Sequence, residues 1–416
     1  LLRVAVRITS IECHVVADPE LDRDATSSAQ DGFIVEIHTD EGISGLGETD
    51  LNAWIARACI EAPGTHTMDR GLGDMLIGED PLELEQLWRR LYVGSAMSGR
   101  RGAVINALGA IDIALWDIRG KAAGKPCHML MGGAVRERLT PYASLQPEGA
   151  PDVAAYQEAL VGWVRQAAAL GFRAAKLELT FDGPYAHAGL HAPDEAVVAA
   201  VAACRAAAGP AFALMVDVQY AFDTVERALR VAHQLAELDV LFLEAPLWPD
   251  DLAGYARLAR ASPLPLAAGE WLTTRHEFVE LFDRGGVAIG QPDIGRVGGL
   301  SEALAVRDLA AERQRLIVPH AWKTLISIAA SAQLAAVTPH CPYFEFLPAE
   351  LCGSALRREL VRGDGFELRD GTLTLPSEPG LGVSLDRSAL RRFERAAAEY
   401  AGAARRAGRA QANGTP

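Results

Sequence analysis

Hydrophobic and polar positions alternate early in the chain. Segments 8–16 (ITSIECHVV) and 32–39 (GFIVEIHT) put apolar residues on one side of an extended backbone, and DEGISG (40–45) offers two glycines for a hairpin turn. Around 80–93 and 103–123 the apolar spacing becomes helical. The second of these stretches stops at Gly124, followed by Lys125-Pro126. Strands followed by helices predict an α+β domain over residues 1–135.

From about residue 140 the chain repeats a short apolar strand, a turn and an amphipathic helix. Strands are predicted at 140–145, 174–179, 212–218, 240–246, 264–270, 287–294, 315–321 and 343–346. Asp223 and Glu226 have the spacing of a capping box, and Gly209-Pro210 closes the helix that begins near Asp194. Short strands, apolar on both faces and separated by helices, predict a parallel (β/α) barrel over 136–362. The stretch 363–386 is too rich in Gly and turn signals for another such unit. The tail AGAARRAGRAQANGTP (401–416) has little to bury and is expected to lack fixed structure.

Composition narrows the class. Half the residues are hydrophobic and 23% are charged, which suits a large core. The formal charge of −14 argues against a polyanion partner, because nucleic-acid affinity rests on Lys and Arg. No apolar run long enough for a membrane span occurs, and the first residues alternate instead of forming a leader-like block. Six cysteines, at 13, 59, 127, 204, 341 and 352, form no CxxC pair, which points to a reducing, cytoplasmic setting.

In such a barrel, chemistry gathers where the strands end. The last inward-capable polar residues are Lys176 and Glu178 on the second strand, then Asp217, Glu244, Glu270, Asp293, His320 and Glu345 on the strands that follow. Three carboxylates at one depth repel each other in a low-dielectric site, and a hard cation such as Mg²⁺, ligated by oxygen, relieves that repulsion. Asp293 beside His320 would orient the imidazole and raise its basicity, making a general base. Lys176, if it faces inward with Glu178, can neutralise a substrate carboxylate. Metal, base and cation together suit removal of a proton α to a carboxylate.

With these residues the sequence resembles the enolase superfamily, in particular the mandelate racemase subgroup. The motifs that carry the resemblance are AIDIALWDIRGKAAGKPCHMLMGG (110–133), GISGLGE (42–48), GFRAAKLE (171–178), QPDIGRVGG (291–299) and EPGLGV (378–383). The resemblance implies a modified TIM barrel of (β/α)7β type, with an N-terminal α+β capping domain completed by residues 363–400. It also implies Mg²⁺ on Asp217, Glu244 and Glu270, an Asp293–His320 dyad, and a hydrogen bond from Glu345 to the substrate carboxylate. Specificity loops would fall near 14–31 and 49–56, and a homo-oligomer is expected.

One position departs from the pattern. The family's second strand often ends Lys-x-Lys, the second Lys being a base opposite the histidine; here the pair is Lys176 and Glu178. That weakens two-base racemisation and leaves one-sided abstraction by His320. Glu178 is expected to pair locally with Lys176 or support the metal ligands, with an acid role as the alternative. Further candidates for substrate contact are Tyr185, His187 and His191 in the long loop 183–195, and His14, Trp54, Trp322 and Lys323.

The expectation is therefore a Mg²⁺-dependent lyase that dehydrates an acid sugar to a 2-keto-3-deoxy acid. A racemase or epimerase of a hydroxy acid is the first alternative. Cycloisomerases and dipeptide epimerases are set aside because those relatives carry a Lys where this chain has Asp293. A non-catalytic metal-binding homologue would have lost a ligand or the dyad, and both are present.

Overall fold

The computed structural model describes residues 6–413 apart from 23–24, 26, 187–188 and 364–365, with side chains as far as 406. The early alternation forms an antiparallel sheet of Ile8–Ala17, Asp31–Thr39 and Ser44–Thr49, in that order. Phe33, Ile34, Val35 and Ile37 of its middle strand are fully buried. The long helix Ala103–Ala123 packs on the third strand, and the C-terminal helix Arg387–Asn413 packs on the first.

Three of the sequence motifs meet on helix Ala103–Ala123. At Gly47 an added Cβ would stand 1.8 Å from the Ala110 carbonyl oxygen, so glycine alone lets the strand lie this close to the helix. Asp117 accepts the Leu46 N–H on Oδ2 at 3.0 Å and the Leu381 N–H on Oδ1 at 2.9 Å. It thereby joins the capping hairpin to the segment 378–383. Asp112 Oδ2 accepts the Ser301 N–H at 2.9 Å and fastens the same helix to barrel helix Gly299–Glu312. Satisfying buried N–H groups with buried carboxylates fixes how the two domains meet.

The barrel strands, in chain order, are Pro141–Leu145, Ala174–Glu178, Ala213–Asp217, Val240–Glu244, Leu266–Ala268, Ile289–Gly290, Leu316–Ile317 and Phe344–Phe346. They form one parallel sheet in which the eighth pairs with the first. The Glu345 N–H reaches the Pro319 carbonyl at 3.4 Å, curling the eighth strand toward the seventh. All eight predicted strands are present, but the fifth to seventh are shorter than predicted. Pro292 and Pro319 have no N–H to extend the ladder, and Gly269 turns the chain at φ +119°. Asp293 and His320 thus lie just past their strands, still joined by an isolated parallel bridge.

Other details differ from the sequence reading. The helix Val225–Ala236 is capped by Thr224, whose side chain accepts the Arg227 N–H, instead of by Asp223. The stretch from 401 continues the C-terminal helix to Asn413, because its run of Ala and Arg has high helix propensity even with little to bury. Residues 372–374 pair with Arg138–Leu139, just before the first barrel strand, and on their other side with 368–369. All six cysteines are free thiols. Among the described residues no helix is long and apolar enough to cross a membrane.

Candidate active site

The strand register sets the site. Glu178, Asp217 and Glu244 are paired neighbours across the second, third and fourth strands, so three carboxylates stand at one level. One oxygen each of Asp217, Glu244 and Glu270 lies within 4.8 Å of the other two, and all three residues are buried. Beyond the strands the backbone is strained, with positive φ at Gln219, Tyr220 and Ala245. That strain lets the Gln219 N–H turn back onto Asp217 Oδ1 at 2.9 Å. The Tyr220 hydroxyl donates to Glu270 Oε1 at 2.8 Å, and Gln291 Nε2 donates to Glu244 Oε2 at 2.5 Å.

Lys176 is the cation of this cluster. Its Nζ is 2.7 Å from Glu244 Oε1, 2.9 Å from Glu345 Oε1 and 3.7 Å from Asp217 Oδ2. Burial opposes its charge, but Glu244 and Glu345 outweigh burial and hold it protonated, well above the usual lysine range. Burial, followed by repulsion from Glu244, pushes the Asp217 carboxyl up; burial likewise pushes Glu244 up, against the pull of Lys176. One ammonium does not balance this group. The donor set of three buried carboxylates fits a divalent cation, which would supply the missing charge.

His320 stands across the pocket. Its Nδ1 is 2.7 Å from Asp293 Oδ2, and its Nε2 lies 3.6 Å from Glu270 and 3.8 Å from Glu345. Burial lowers the basicity of the ring, but Glu345, the Asp293 hydrogen bond and Glu270 together raise it to about 9. With Nδ1 committed to a carboxylate, Nε2 is the nitrogen that faces the reacting space.

A cavity of about 170 Å³ joins these groups, lined among others by Lys176, Glu178, Asp217, Glu270 and His320. Glu244 and Glu345 are fully buried behind it, Glu345 Oε2 accepting the Ala321 N–H at 2.7 Å. Glu178 Oε1 accepts from Gln146 Nε2 at 2.5 Å. Tyr185 and Trp322, both predicted, also line the cavity.

Other candidates lie elsewhere. His14 is on the first capping strand, not in a loop, and its contacts are Glu12, Glu36 and Glu394. Trp54 opens helix Ala53–Glu61 and packs its ring 5.9 Å from that of Tyr400. Lys323 does not line the pocket but touches two residues that do, Asp50 at 3.1 Å and the Ser28 carbonyl, and it also contacts Asp31. His191 is exposed, and His187 lies outside the described residues.

Several pocket residues escaped the sequence reading. Asp50 and Arg296 form an ion pair that links the capping domain to the barrel over the site. Trp271 also lines the pocket, and with Tyr220, Trp248 and the predicted Tyr185 it builds an aromatic cluster at the rim, Tyr220 and Trp271 lying 4.4 Å apart between centroids. The available signal was position: Trp271 directly follows Glu270, Tyr220 comes three residues after Asp217, and Arg296 three after Asp293.

The comparison with known families agrees with this geometry. Residues 10–132 match the family described as "Mandelate racemase / muconate lactonizing enzyme, N-terminal domain", and 159–389 match "Enolase C-terminal domain-like". The chain belongs to the mandelate racemase/muconate lactonizing enzyme family of the enolase superfamily. Its relatives include D-galactarolactone cycloisomerase of Agrobacterium fabrum, 32% identical over 93% of this chain and 99% of that protein. L-rhamnonate dehydratase of Saccharopolyspora erythraea is 32% identical over 85% and 83%. D-galactonate dehydratase of Ralstonia nicotianae is 32% identical over 88% and 92%. The modified TIM barrel and capping domain expected from the motifs are those of this family.

Proposed function

We propose that this chain is a lyase that dehydrates an acid sugar, with Mg²⁺ as its cation. The observation that carries the reading is the His320–Asp293 pair, held at 2.7 Å, with Nε2 aimed into a cavity that Lys176, Asp217 and Glu270 also line. The dehydratases of L-rhamnonate and D-galactonate among its relatives support the substrate class.

Asp217, Glu244 and Glu270 would hold the cation, which when bound offsets the negative charge that develops on the substrate carboxylate. Lys176 draws that carboxylate in and stabilises the enediolate from its other side. His320 Nε2 takes the α-proton while Asp293 keeps the ring oriented. Glu270, one of the groups that raise the basicity of His320, would share its charge with the cation and so pull less strongly on the ring. Protonated His320 then delivers its proton to the departing β-hydroxyl, water leaves, and the enol becomes a 2-keto-3-deoxy acid. Glu178, tied to Gln146, supports the ligand level. The Asp50–Arg296 pair and the aromatic cluster close the pocket over the sugar chain.

The A. fabrum relative favours a second reading, in which the leaving group is the ring oxygen of an acid-sugar lactone. Asp293 does not exclude that class, since both reactions begin with the same proton transfer. A panel of aldonates, aldarates and their lactones, assayed with Mg²⁺ by mass spectrometry, separates the two. Loss of one water with appearance of a 2-keto acid supports dehydration. A 2-keto acid of unchanged mass supports ring opening, and an epimer of unchanged mass without a keto group, as the sole product, contradicts both.

A further inference from the structure

We infer that the capping domain carries a second metal site, for a zinc-type ion, built from His14, Glu12 and Glu36 beneath the C-terminal helix. Glu12 and His14 are two apart on one strand and face the same way. Glu36 is the register partner of Glu12 on the next strand, so two carboxylates face each other across the ladder, with only one of them, Glu36, paired to an arginine. His14 Nε2 points between them, 3.8 Å from Glu12 Oε2 and 3.7 Å from Glu36 Oε2. The three candidate ligand atoms lie within 4.8 Å of one another.

Two further observations point to a ligand. His14 is only 7% exposed, and Nε2, the atom aimed at the carboxylates, has no hydrogen-bond partner. Its other nitrogen, Nδ1, is 2.8 Å from Glu394 Oε1 on the C-terminal helix. With Nδ1 donating to Glu394, the neutral ring would present its Nε2 lone pair to an ion, the carboxylate–imidazole–metal arrangement that orients a ligating histidine. Ligands about 2.0–2.1 Å from a tetrahedral ion stand about 3.3 Å apart, so the two distances from His14 Nε2 need about half an ångström of closure, and the exposed Glu12 side chain is free to make the rest.

The neighbours are compatible. His38 Nε2 lies 3.4 Å from the other oxygen of Glu12, Oε1. Arg387 donates to both oxygens of Glu36 at 2.7 Å and the Ser44 hydroxyl donates to Oε1 at 3.2 Å, leaving a lone pair on Oε2, the oxygen nearer His14. One imidazole and two carboxylates with an open fourth position suit Zn²⁺; Mg²⁺ favours all-oxygen ligation. Through Glu394 the ion would tie the capping sheet to helix Arg387–Asn413.

The test uses the full chain, stripped of metal and then saturated with Mg²⁺ so that the oxygen-only site is filled. Zn²⁺ is titrated by calorimetry and bound zinc is counted per chain. The wild type is expected to take up one zinc. Glu12→Gln, at an exposed position that the core does not depend on, and His14→Gln should each lose it or weaken it at least about tenfold, and Glu394→Gln should weaken it about 10–100-fold. Asp217→Asn should still bind it. Absence of zinc uptake by the wild type, unchanged uptake in Glu12→Gln and His14→Gln, or loss confined to Asp217→Asn would each overturn the assignment.

Discussion

Replacing Asp293 with Asn should disable His320 without moving it. Asp293 is 1% exposed and uses both oxygens: Oδ1 accepts the Arg296 N–H at 3.1 Å and Oδ2 faces His320 Nδ1 at 2.7 Å. Asparagine fits the same space but has only one acceptor oxygen. The Arg296 N–H also donates to the Asp293 carbonyl at 3.0 Å, and an amide NH2 turned toward it would set donor against donor, so the amide oxygen stays on that side and the NH2 group turns to His320. An NH2 donor forces the tautomer with Nδ1 bare and Nε2 protonated. The nitrogen facing the pocket then has no lone pair with which to take a proton. The comparable change in a serine protease triad lowers kcat by about 10⁴ through the wrong tautomer. At about 1.36 kcal/mol per tenfold, a loss of about 10³–10⁴ corresponds to about 4–5 kcal/mol of barrier. The assay is exchange of the substrate α-proton with D₂O, followed by NMR at saturating substrate, with KM measured alongside. Exchange within tenfold of the wild type would refute the tautomer argument; an unchanged KM with lost exchange is the expected pattern.

Further outcomes follow from the same contacts. Lys176→Met leaves Glu244 and Glu345 without their nearest cation, so the variant should lose about 3–5 kcal/mol of stability in urea unfolding without metal, and added Mg²⁺ should recover part of it. Equal stability of the two proteins in EDTA would contradict this. Glu48 is fully buried, and burial raises its carboxyl to about 7 although it accepts from Thr324 and Ser327. Its folded-state pKa lies above its unfolded value, so its contribution is fully present below about pH 4.5 and is lost as pH rises through about 7. Relative to the wild type, Glu48→Gln should therefore gain about 3 kcal/mol between pH 4.5 and 8. A pH-independent difference in denaturant midpoints would show that Glu48 is ionised throughout.

Strand-end carboxylates were legible because a β/α repeat makes depth in the barrel a function of position along the chain. Apolar runs marked the eight strands, and the last polar residue of each gave Lys176, Glu178, Asp217, Glu244, Glu270, Asp293, His320 and Glu345. Strand lengths were less legible, since Pro292, Pro319 and Gly269 end the ladder inside runs that stay apolar. Contacts between domains left no periodic signal. Asp50 meets Arg296 and Lys323 only because helix Ala103–Ala123 binds the capping hairpin to the barrel, a relation across residues far apart in sequence. His14 misled for the same reason: its strand continues to Ala17, so the first capping loop begins later than expected and the imidazole faces the C-terminal helix.

The central claim is that His320 is the base that takes the proton α to the substrate carboxylate. His320→Asn, incubated with Mg²⁺ and the acid sugar that the wild type converts, in D₂O, tests it directly. The account predicts that the variant stays folded and that the α-proton signal persists while the wild type exchanges it and releases water. Exchange in His320→Asn at the wild-type rate would place the base elsewhere and contradict the account.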